Sequence, residues 1–359
     1  MKEINQRLFS RLGGVAGKLV SKALLDVPRA IETNQVGKNW LKNAKVKKTP
    51  HLTLGPKAQF AIAAFDNRHF LVAVGVEIIL PDVSDILPIE LNSGAFTLFA
   101  TELEVPFNEL ADIGHELAEH VFIPLNEESD KAVILPMDVV ERYFEKISLF
   151  EIQADSSLIS DDAKDYRIAL AAVLCANTAR PLAWSSRTME RLGEMAMDRN
   201  EKAPFHLLFR MLTESRGDAA FLDVYRCIEQ LFPLPKIATF CDELGVTIPA
   251  MQVARSLEHH LGWRRPEIES LTQIMAGAPS SLLDQLREFF QIAVGTSDQA
   301  GAIAKAIYDL RNRHVHYRAL HAADIEALPP DWLNLADLLL ELVQFLYAEN
   351  ANAFKVSST

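Results

Sequence analysis

The stretch "AIYDLRNRHVHYR", residues 306–318, places an apolar helical stripe among charged and titratable side chains. In the helix that begins near Gln299, the stripe recurs at spacings of four, three, four and three residues: Ile303, Ile307, Leu310, His314 and Tyr317. This period predicts an amphipathic helix that packs within a helical bundle. By the same register His314 lies on the apolar side, and we interpret it as a histidine satisfied in the core or at its edge.

The other side of this helix carries groups that suit phosphodiester chemistry. His316 projects about 160° away from His314, and Asn312 lies one turn before it on the same face. Histidine exchanges a proton near neutral pH, and the planar guanidinium of Arg311 matches phosphate oxygens. We therefore predict that Arg311, Asn312 and His316 converge on the side that the bundle core does not use. A solvated helix face is the alternative interpretation.

Composition limits the classes of protein to which the chain can belong. With 359 residues, 49% of them hydrophobic, it is long enough for two or three domains. A net charge of −12 argues against a protein that coats nucleic acid, but not against one that acts on a single phosphate. The three cysteines form no CxxC pair, which predicts a reducing, cytoplasmic compartment. No apolar run approaches the roughly 18 residues of a spanning helix, so no membrane partner is expected.

The first 140 residues divide into two regions with different sequence patterns. Residues 1–50 are predicted to be helical and then basic, as a solvated linker or a local nucleic-acid contact. Residues 51–140 are predicted to form a β-rich or α+β domain, because β-branched and aromatic runs alternate with turn residues. Four runs carry that prediction: "HLTLG" (51–55), "QFAIAAF" (59–65), "HFLVAVGVEIIL" (69–80) and "AFTLFATELEV" (95–105).

Residues 141–359 have helical period almost throughout. "DAAFLDVYRCIEQLF", residues 218–232, carries one apolar stripe: Phe221, Val224, Tyr225, Ile228 and Leu231. After Pro329 and Pro330, Asp331 is placed to cap a last helix that sits centrally in a bundle or in a subunit interface. The predicted fold class is α+β, with a mixed or β-rich N-terminal domain followed by an all-α bundle that contains an insertion at about 233–300.

The motif helix resembles the signature helix of the HEPN superfamily, in which an aromatic-x-Leu-Arg-Asn-x-x-x-His pattern marks RNA-cleaving members. "AFLDVYRCIEQL" is similar to the earlier helix of those domains, and "WLNLADLLLELVQFLY" to their closing helix. The resemblance covers about residues 200–350. Tyr317 departs from it, since many relatives carry glycine after the histidine.

The resemblance implies a bundle that forms a homodimer, in which two facing motifs build one composite site for RNA. Arg311, Asn312 and His316 would be catalytic, and Arg313 and Arg318 would contact the substrate. Arg226 and Glu229 are either a local ion pair on a helix surface or groups that bind substrate and orient Arg311 or His316. Because RNA carries its own 2′-OH nucleophile, no metal and no cofactor is expected.

The expected function is metal-independent RNA cleavage, in anti-phage defence or as a toxin. The alternative is a non-catalytic protein that uses the same dimer for RNA binding or scaffolding.

Two further motifs give weaker indications of function. "GHELAEH", residues 114–120, lacks the His-Glu-x-x-His spacing of zinc proteases and is interpreted as a solvated helix. "LEHHLGWRRPE", residues 257–267, is interpreted as a partly exposed loop, with RNA stacking as its alternative.

Overall fold

A computed structural model of the chain describes residues 1–47, 52–81, 84–110, 112–123, 132–159, 163–199, 202–262, 266–315 and 330–354. It forms two compact units. The first is Met1–Ile159 with Cys175–Ala179, and the second is Ser160–Leu174 with Arg180–Thr359. The boundary predicted at residue 140 thus falls inside the first unit, because a strand beyond it belongs to that unit's sheet.

The first unit mixes helices and strands. Its α-helices are α1 (Lys2–Ala16), α2 (Lys22–Asp26), α3 (Gln35–Asn43), α4 (Ser93–Glu102), α5 (Ile113–Leu117) and α6 (Met137–Glu141). Its strands are β1 (Arg29–Ile31), β2 (Lys45–Lys47), β3 (Gln59–Phe65), β4 (Arg68–Val74), β5 (Ile86–Ile89), β6 (Val133–Leu135) and β7 (Ile147–Ile152). An α+β fold is therefore confirmed for this region.

Five strands form an antiparallel sheet in the order β2-β3-β4-β7-β5, and β1 pairs with β6 in parallel. The run "QFAIAAF" forms β3 as predicted, whereas only residues 69–74 of the run "HFLVAVGVEIIL" lie in β4 and residues 75–80 lie in no strand. In the central strand β4, residues 70–74 are buried on both faces. The strand ends at Val74 because Gly75 has a φ of 64° and donates its N–H to the Lys146 carbonyl at 2.9 Å.

The strand predicted at residues 95–105 is wrong, since most of this run lies in helix α4. The Asn92 side-chain oxygen accepts hydrogen bonds from the N–H groups of Gly94 and Ala95, and this caps the helix. Residues 94–101 are all buried, so no polar face reveals the helical period. A Cβ at Gly94 would lie 2.0 Å from the carbonyl oxygen of Gly37 in α3, so glycine permits this close approach.

The basic segment is not an irregular linker over its described part. Residues 35–47 form α3 and β2. Trp40 is 4% exposed and stacks on Phe65 at 4.4 Å between ring centroids, which anchors α3 in the core. Lys38, Lys42, Lys45 and Lys47 are exposed. Lys48 lies outside the described residues.

The second unit is helical throughout its described part. Its α-helices are α7 (Lys164–Leu174), α8 (Ser186–Met197), α9 (Phe205–Thr213), α10 (Gly217–Glu229), α11 (Leu234–Leu244), α12 (Ala250–Leu261), α13 (Glu267–Ala276), α14 (Ser280–Phe289), α15 (Gln299–Val315) and α16 (Trp332–Glu349). Helix α10 packs against α9, α13, α15 and α16. Its predicted stripe is confirmed, because all five side chains are at most 1% exposed.

The last helix begins where the sequence predicts. The Asp331 carboxylate accepts a hydrogen bond from the Asn334 N–H at 3.1 Å. Helix α16 packs against α8, α10 and α14, so it is central in the bundle.

The segment at about 233–300 belongs in part to the walls of the bundle. Helices α11 and α12 share a small core of their own, built on Ile237, Cys241 and Ala254. By contrast, α13 packs against α10 and α15, and α14 packs against α15 and α16. Residues from this segment therefore reach the motif helix.

Candidate active site

Helix α15 positions the candidate residues through its apolar stripe. Ile303 and Ile307 are fully buried and Leu310 is 4% exposed, which confirms the predicted register. Asn312 is half-buried on the flank of the helix. Arg311 differs from the outward orientation expected for it, because only 17% of its side chain is exposed. Position 311 borders the stripe, and its long side chain folds towards α10 and α13.

The guanidinium of Arg311 lies among polar and aromatic groups. Its Nη1 donates to Asn312 Oδ1 at 2.9 Å, so two of the predicted residues are in contact. Nη2 lies 3.6 Å from Glu229 Oε1 on α10, and Nη1 lies 3.8 Å from Glu267 Oε2 on α13. Both ion pairs are longer than the roughly 3.2 Å limit of a good hydrogen bond. The two carboxylates therefore attract the cation without fixing it in one geometry.

The ring of Tyr225 on α10 lies close to the same guanidinium. The Arg311 Cζ lies 5.7 Å from the centroid of the Tyr225 ring, within reach of a cation–π interaction. Tyr225 is 1% exposed, and its hydroxyl has no hydrogen-bond partner among the described residues. Burial, and then the Glu229 carboxylate, raise the pKa of Tyr225, while Arg311 opposes this. The phenol therefore stays protonated across the physiological range.

Arg226 lies in a different cluster from Glu229. Its Nη1 donates to Asp223 Oδ1 at 2.7 Å, and the Nε of Arg210 donates to the other oxygen at 2.6 Å. Asp223 is 1% exposed, whereas both arginine side chains are about half exposed. Burial, followed by the Asp223 charge, raises the pKa of the nearby Glu214. Of the two residues predicted on α10, only Glu229 lies beside Arg311.

The His314 ring packs against Trp332, but the residue as a whole is exposed, so the buried stripe of α15 ends at Leu310 within the described residues. The His314 ring meets the Trp332 ring edge to face at 4.7 Å, and its Nδ1 lies 3.8 Å from Asp218 Oδ2. The side chain is 31% exposed. Burial lowers the pKa of His314 and the Asp218 carboxylate partly offsets this. Asp218 is itself bound by Arg216, and that hydrogen bond lowers the pKa of the carboxyl.

Part of the predicted site is not described. His316, Tyr317 and Arg318 lie outside the described residues. Arg313 is described and exposed. The described part of the site is thus Arg311 with Asn312, Glu229, Glu267 and Tyr225.

Sequence reasoning missed two of these groups. Tyr225 belongs to the apolar stripe of α10, and the pattern contains no signal for its hydroxyl. Glu267 lies 44 residues before Arg311 in the sequence, yet it begins α13, which packs on the motif helix. A phenol one helical turn before Glu229 was the single local clue, because residues at i and i+4 share a helix face.

The other histidine motifs form no constellation in the described part of the chain. The His115 side chain is 66% exposed and its Nδ1 contacts Asp112 at 2.7 Å. His259 and His260 touch each other, and residues 263–265 lie outside the described residues. Within the described ranges, no three His, Cys, Asp or Glu residues are grouped to hold a metal ion.

Comparisons with family models, with curated proteins and with solved structures give no match to this chain. Among the described residues, none of the helices has the length and apolar character needed to cross a bilayer. The functional conclusion therefore depends on the residues of the site.

Proposed function

We propose that this chain is a metal-independent endoribonuclease of the HEPN type, which acts as a homodimer on RNA in the cytoplasm. The observation that supports it is the contact of Arg311 with Asn312 at 2.9 Å, close to the carboxylates of Glu229 and Glu267. A guanidinium held in this way keeps its charge for a phosphate. The setting that fits an activity of this kind is host defence or a toxin system.

In the proposed reaction the 2′-oxygen of RNA attacks the adjacent phosphorus, and the bond from phosphorus to the 5′-oxygen breaks. The His316 imidazole removes the 2′ proton, and a second acidic group supplied by the facing motif protonates the leaving 5′-oxygen. Arg311 stabilises the charge that develops on the non-bridging oxygens. Asn312 holds the guanidinium in place. The products are a 2′,3′-cyclic phosphate and a 5′-hydroxyl.

The second candidate is a non-catalytic protein that binds RNA or assembles through the same helices. The observation that favours it is the position of Glu229 and Glu267, whose charges offset that of Arg311. For cleavage, a phosphate must compete with these carboxylates for the guanidinium. Their distances of 3.6 and 3.8 Å and their partial exposure make that exchange feasible.

The test is cleavage of total RNA by purified protein in the presence of EDTA. We expect wild type to cut, and Arg311→Ala and His316→Ala to lose at least a hundredfold of the rate. Arg68→Ala is the matched control, because Arg68 is a half-exposed arginine paired with Glu151 in the first unit. It should cut like wild type.

Two results would contradict the nuclease. Equal cutting by wild type and both site variants would remove the residue assignment. A wild-type protein that binds RNA through Arg311 but leaves it intact would support the non-catalytic candidate. The sedimentation velocity of the same preparations measures the dimer that the proposal requires.

A further inference from the structure

Three tyrosines are among the largest fully buried side chains, and their hydroxyls differ in one respect. Tyr347 on α16 donates to the Cys227 carbonyl at 3.0 Å. Tyr143 donates to the Glu116 carbonyl at 3.2 Å. The hydroxyl of Tyr225 is buried without a hydrogen-bond partner in the described part of the chain. An unpaired buried hydroxyl destabilises the fold, so its presence calls for an explanation.

The residues around Tyr225 suggest why its unpaired hydroxyl is present. Glu229 lies one turn further along α10, on the same helix face, and its side chain is 28% exposed. The Arg311 guanidinium covers the Tyr225 ring and attracts the Glu229 carboxylate. If RNA draws Arg311 to a phosphate, Glu229 loses this cation. A protonated phenol beside it can then donate to the carboxylate.

We infer that Tyr225 is a positioning residue of the proposed nuclease, whose hydroxyl donates to Glu229 when RNA takes Arg311 from that carboxylate. The inference rests on the proposed function. It explains why a hydroxyl without a partner is kept beside the site: it lowers the cost of moving Arg311 from carboxylate to phosphate. The raised pKa of Tyr225 agrees with this role, because the donor keeps its proton.

The experiment compares Tyr225→Phe with Tyr347→Phe, two changes that remove one buried hydroxyl each. Tyr225→Phe is expected to raise the melting temperature by about 3 °C, since it removes an unpaired polar group. Tyr347→Phe breaks an existing hydrogen bond and is expected to lower it. Affinity is measured with a mixed-sequence RNA oligonucleotide that carries 2′-O-methyl groups and lacks the nucleophile. Here Tyr225→Phe should bind roughly tenfold more weakly than wild type and Tyr347→Phe should be unchanged.

A double-mutant cycle with Glu229→Ala tests the acceptor. In that background the Tyr225→Phe change should alter the RNA affinity by less than about twofold, because the acceptor has gone. A tenfold loss that persists in the Glu229→Ala background would overturn the inference.

Arg311→Ala separates this inference from the proposed function. If Arg311→Ala binds the methylated RNA like wild type, the proposed function and the inference both fall. If Arg311→Ala loses affinity while Tyr225→Phe binds like wild type, or loses no more than Tyr347→Phe, only the inference is overturned. A melting temperature of Tyr225→Phe below that of wild type would also overturn it, since the hydroxyl would then have a partner in the free protein.

Discussion

Helix α10 contributes carboxylates to two arginine clusters whose geometry differs. On the side of α9, Arg210 and Arg226 share the single carboxylate of Asp223 through hydrogen bonds of 2.6 and 2.7 Å. On the side of α15, Arg311 lies 3.6 and 3.8 Å from Glu229 and Glu267. The first cluster has one buried anion and short bonds, whereas the second has two partly exposed anions and long ones. Two short hydrogen bonds to the same carboxylate indicate a structural contact that holds α9 and α10 together. Two long ion pairs to different carboxylates indicate a cation that can exchange its partner.

Burial explains the difference. A carboxylate that is 1% exposed is strongly desolvated, so it is stable only while cations bind it. The side chains of Glu229 and Glu267 are 28% and 38% exposed. Hydration by water therefore compensates in part for the ion-pair attraction that these carboxylates lose when Arg311 moves away. The same helix therefore contributes to one cluster specialised for stability and to one cluster suited to a ligand.

Removal of the buried anion should give the largest effect on stability. Asp223→Ala leaves Arg210 and Arg226 without their shared acceptor and removes charged hydrogen bonds between α9 and α10. Because both arginines are about half exposed, we expect a loss of about 2 kcal/mol in the free energy of unfolding. Urea denaturation measures it. A loss no greater than that of Arg311→Ala would remove the distinction between the two clusters.

Removal of one anion near Arg311 should strengthen RNA binding. Glu267→Gln keeps the shape of the side chain and deletes a charge 3.8 Å from the guanidinium. We expect roughly a fivefold gain in affinity for the methylated RNA, because one competitor of the phosphate is gone. Glu269→Gln is the control, since Glu269 pairs with Lys236 away from Arg311. A weaker complex for Glu267→Gln would show that the carboxylate holds Arg311 in its binding geometry.

Arg311 itself should matter little for folding. Its ion pairs are long and its partners are partly exposed, so Arg311→Ala should cost less than about 1 kcal/mol of unfolding free energy. Equilibrium denaturation beside Asp223→Ala provides the measurement. If Arg311→Ala lowered the free energy of unfolding more than Asp223→Ala does, Arg311 would be a structural residue like Arg210. The nuclease proposal would then lose its main support.

The smallest expected effect concerns pH. Because the pKa of His314 is lowered in the folded state, the unfolded chain binds more protons below about pH 6.5. The contribution of neutral His314 is therefore complete above that pH and is lost as the pH falls towards the folded pKa. Denaturation midpoints above and below about pH 6 should show a shallower pH dependence for His314→Gln than for wild type. Identical slopes would contradict the burial of the ring against Trp332.

Local pattern predicted much of this fold. The stripe of α10, the positions Ile303, Ile307 and Leu310 of the α15 stripe, the strands β3 and β4, and the cap of α16 at Asp331 lie where the sequence predicts them. Pattern failed at a helix that is buried on all sides. The run that forms α4 looked like a strand because no polar face marks its helical period. Strand β7 lay beyond the predicted domain boundary, and its pairing with β4 and β5 decides where it belongs.

The candidate site was predicted in part. The contact of Arg311 with Asn312 joins two neighbours on one helix, so the sequence could indicate it. The sequence could not show which way Arg311 turns, because the long side chain bridges more than one face and its partners lie on α10 and α13. Arg226 has a carboxylate three residues away on each side within α10, Asp223 and Glu229, and the structure pairs it with Asp223. His316 and Arg318 stay predictions.

The sequence by itself determined the helices whose apolar period leaves one polar face, the strands β3 and β4 with their β-branched and aromatic runs, the cap at Asp331 and the Arg-Asn-x-x-x-His string. These depend on neighbours within one or two turns, where spacing along the chain sets distance in space. The tertiary structure alone decided that Tyr225, Glu229 and Glu267 surround Arg311, and that Asp223 binds two other arginines. The contacts of Arg311 join helices far apart in the chain, whereas Asp223 binds Arg226 on its own helix and Arg210 on the preceding one. Burial and charge select among the partners that packing brings within reach.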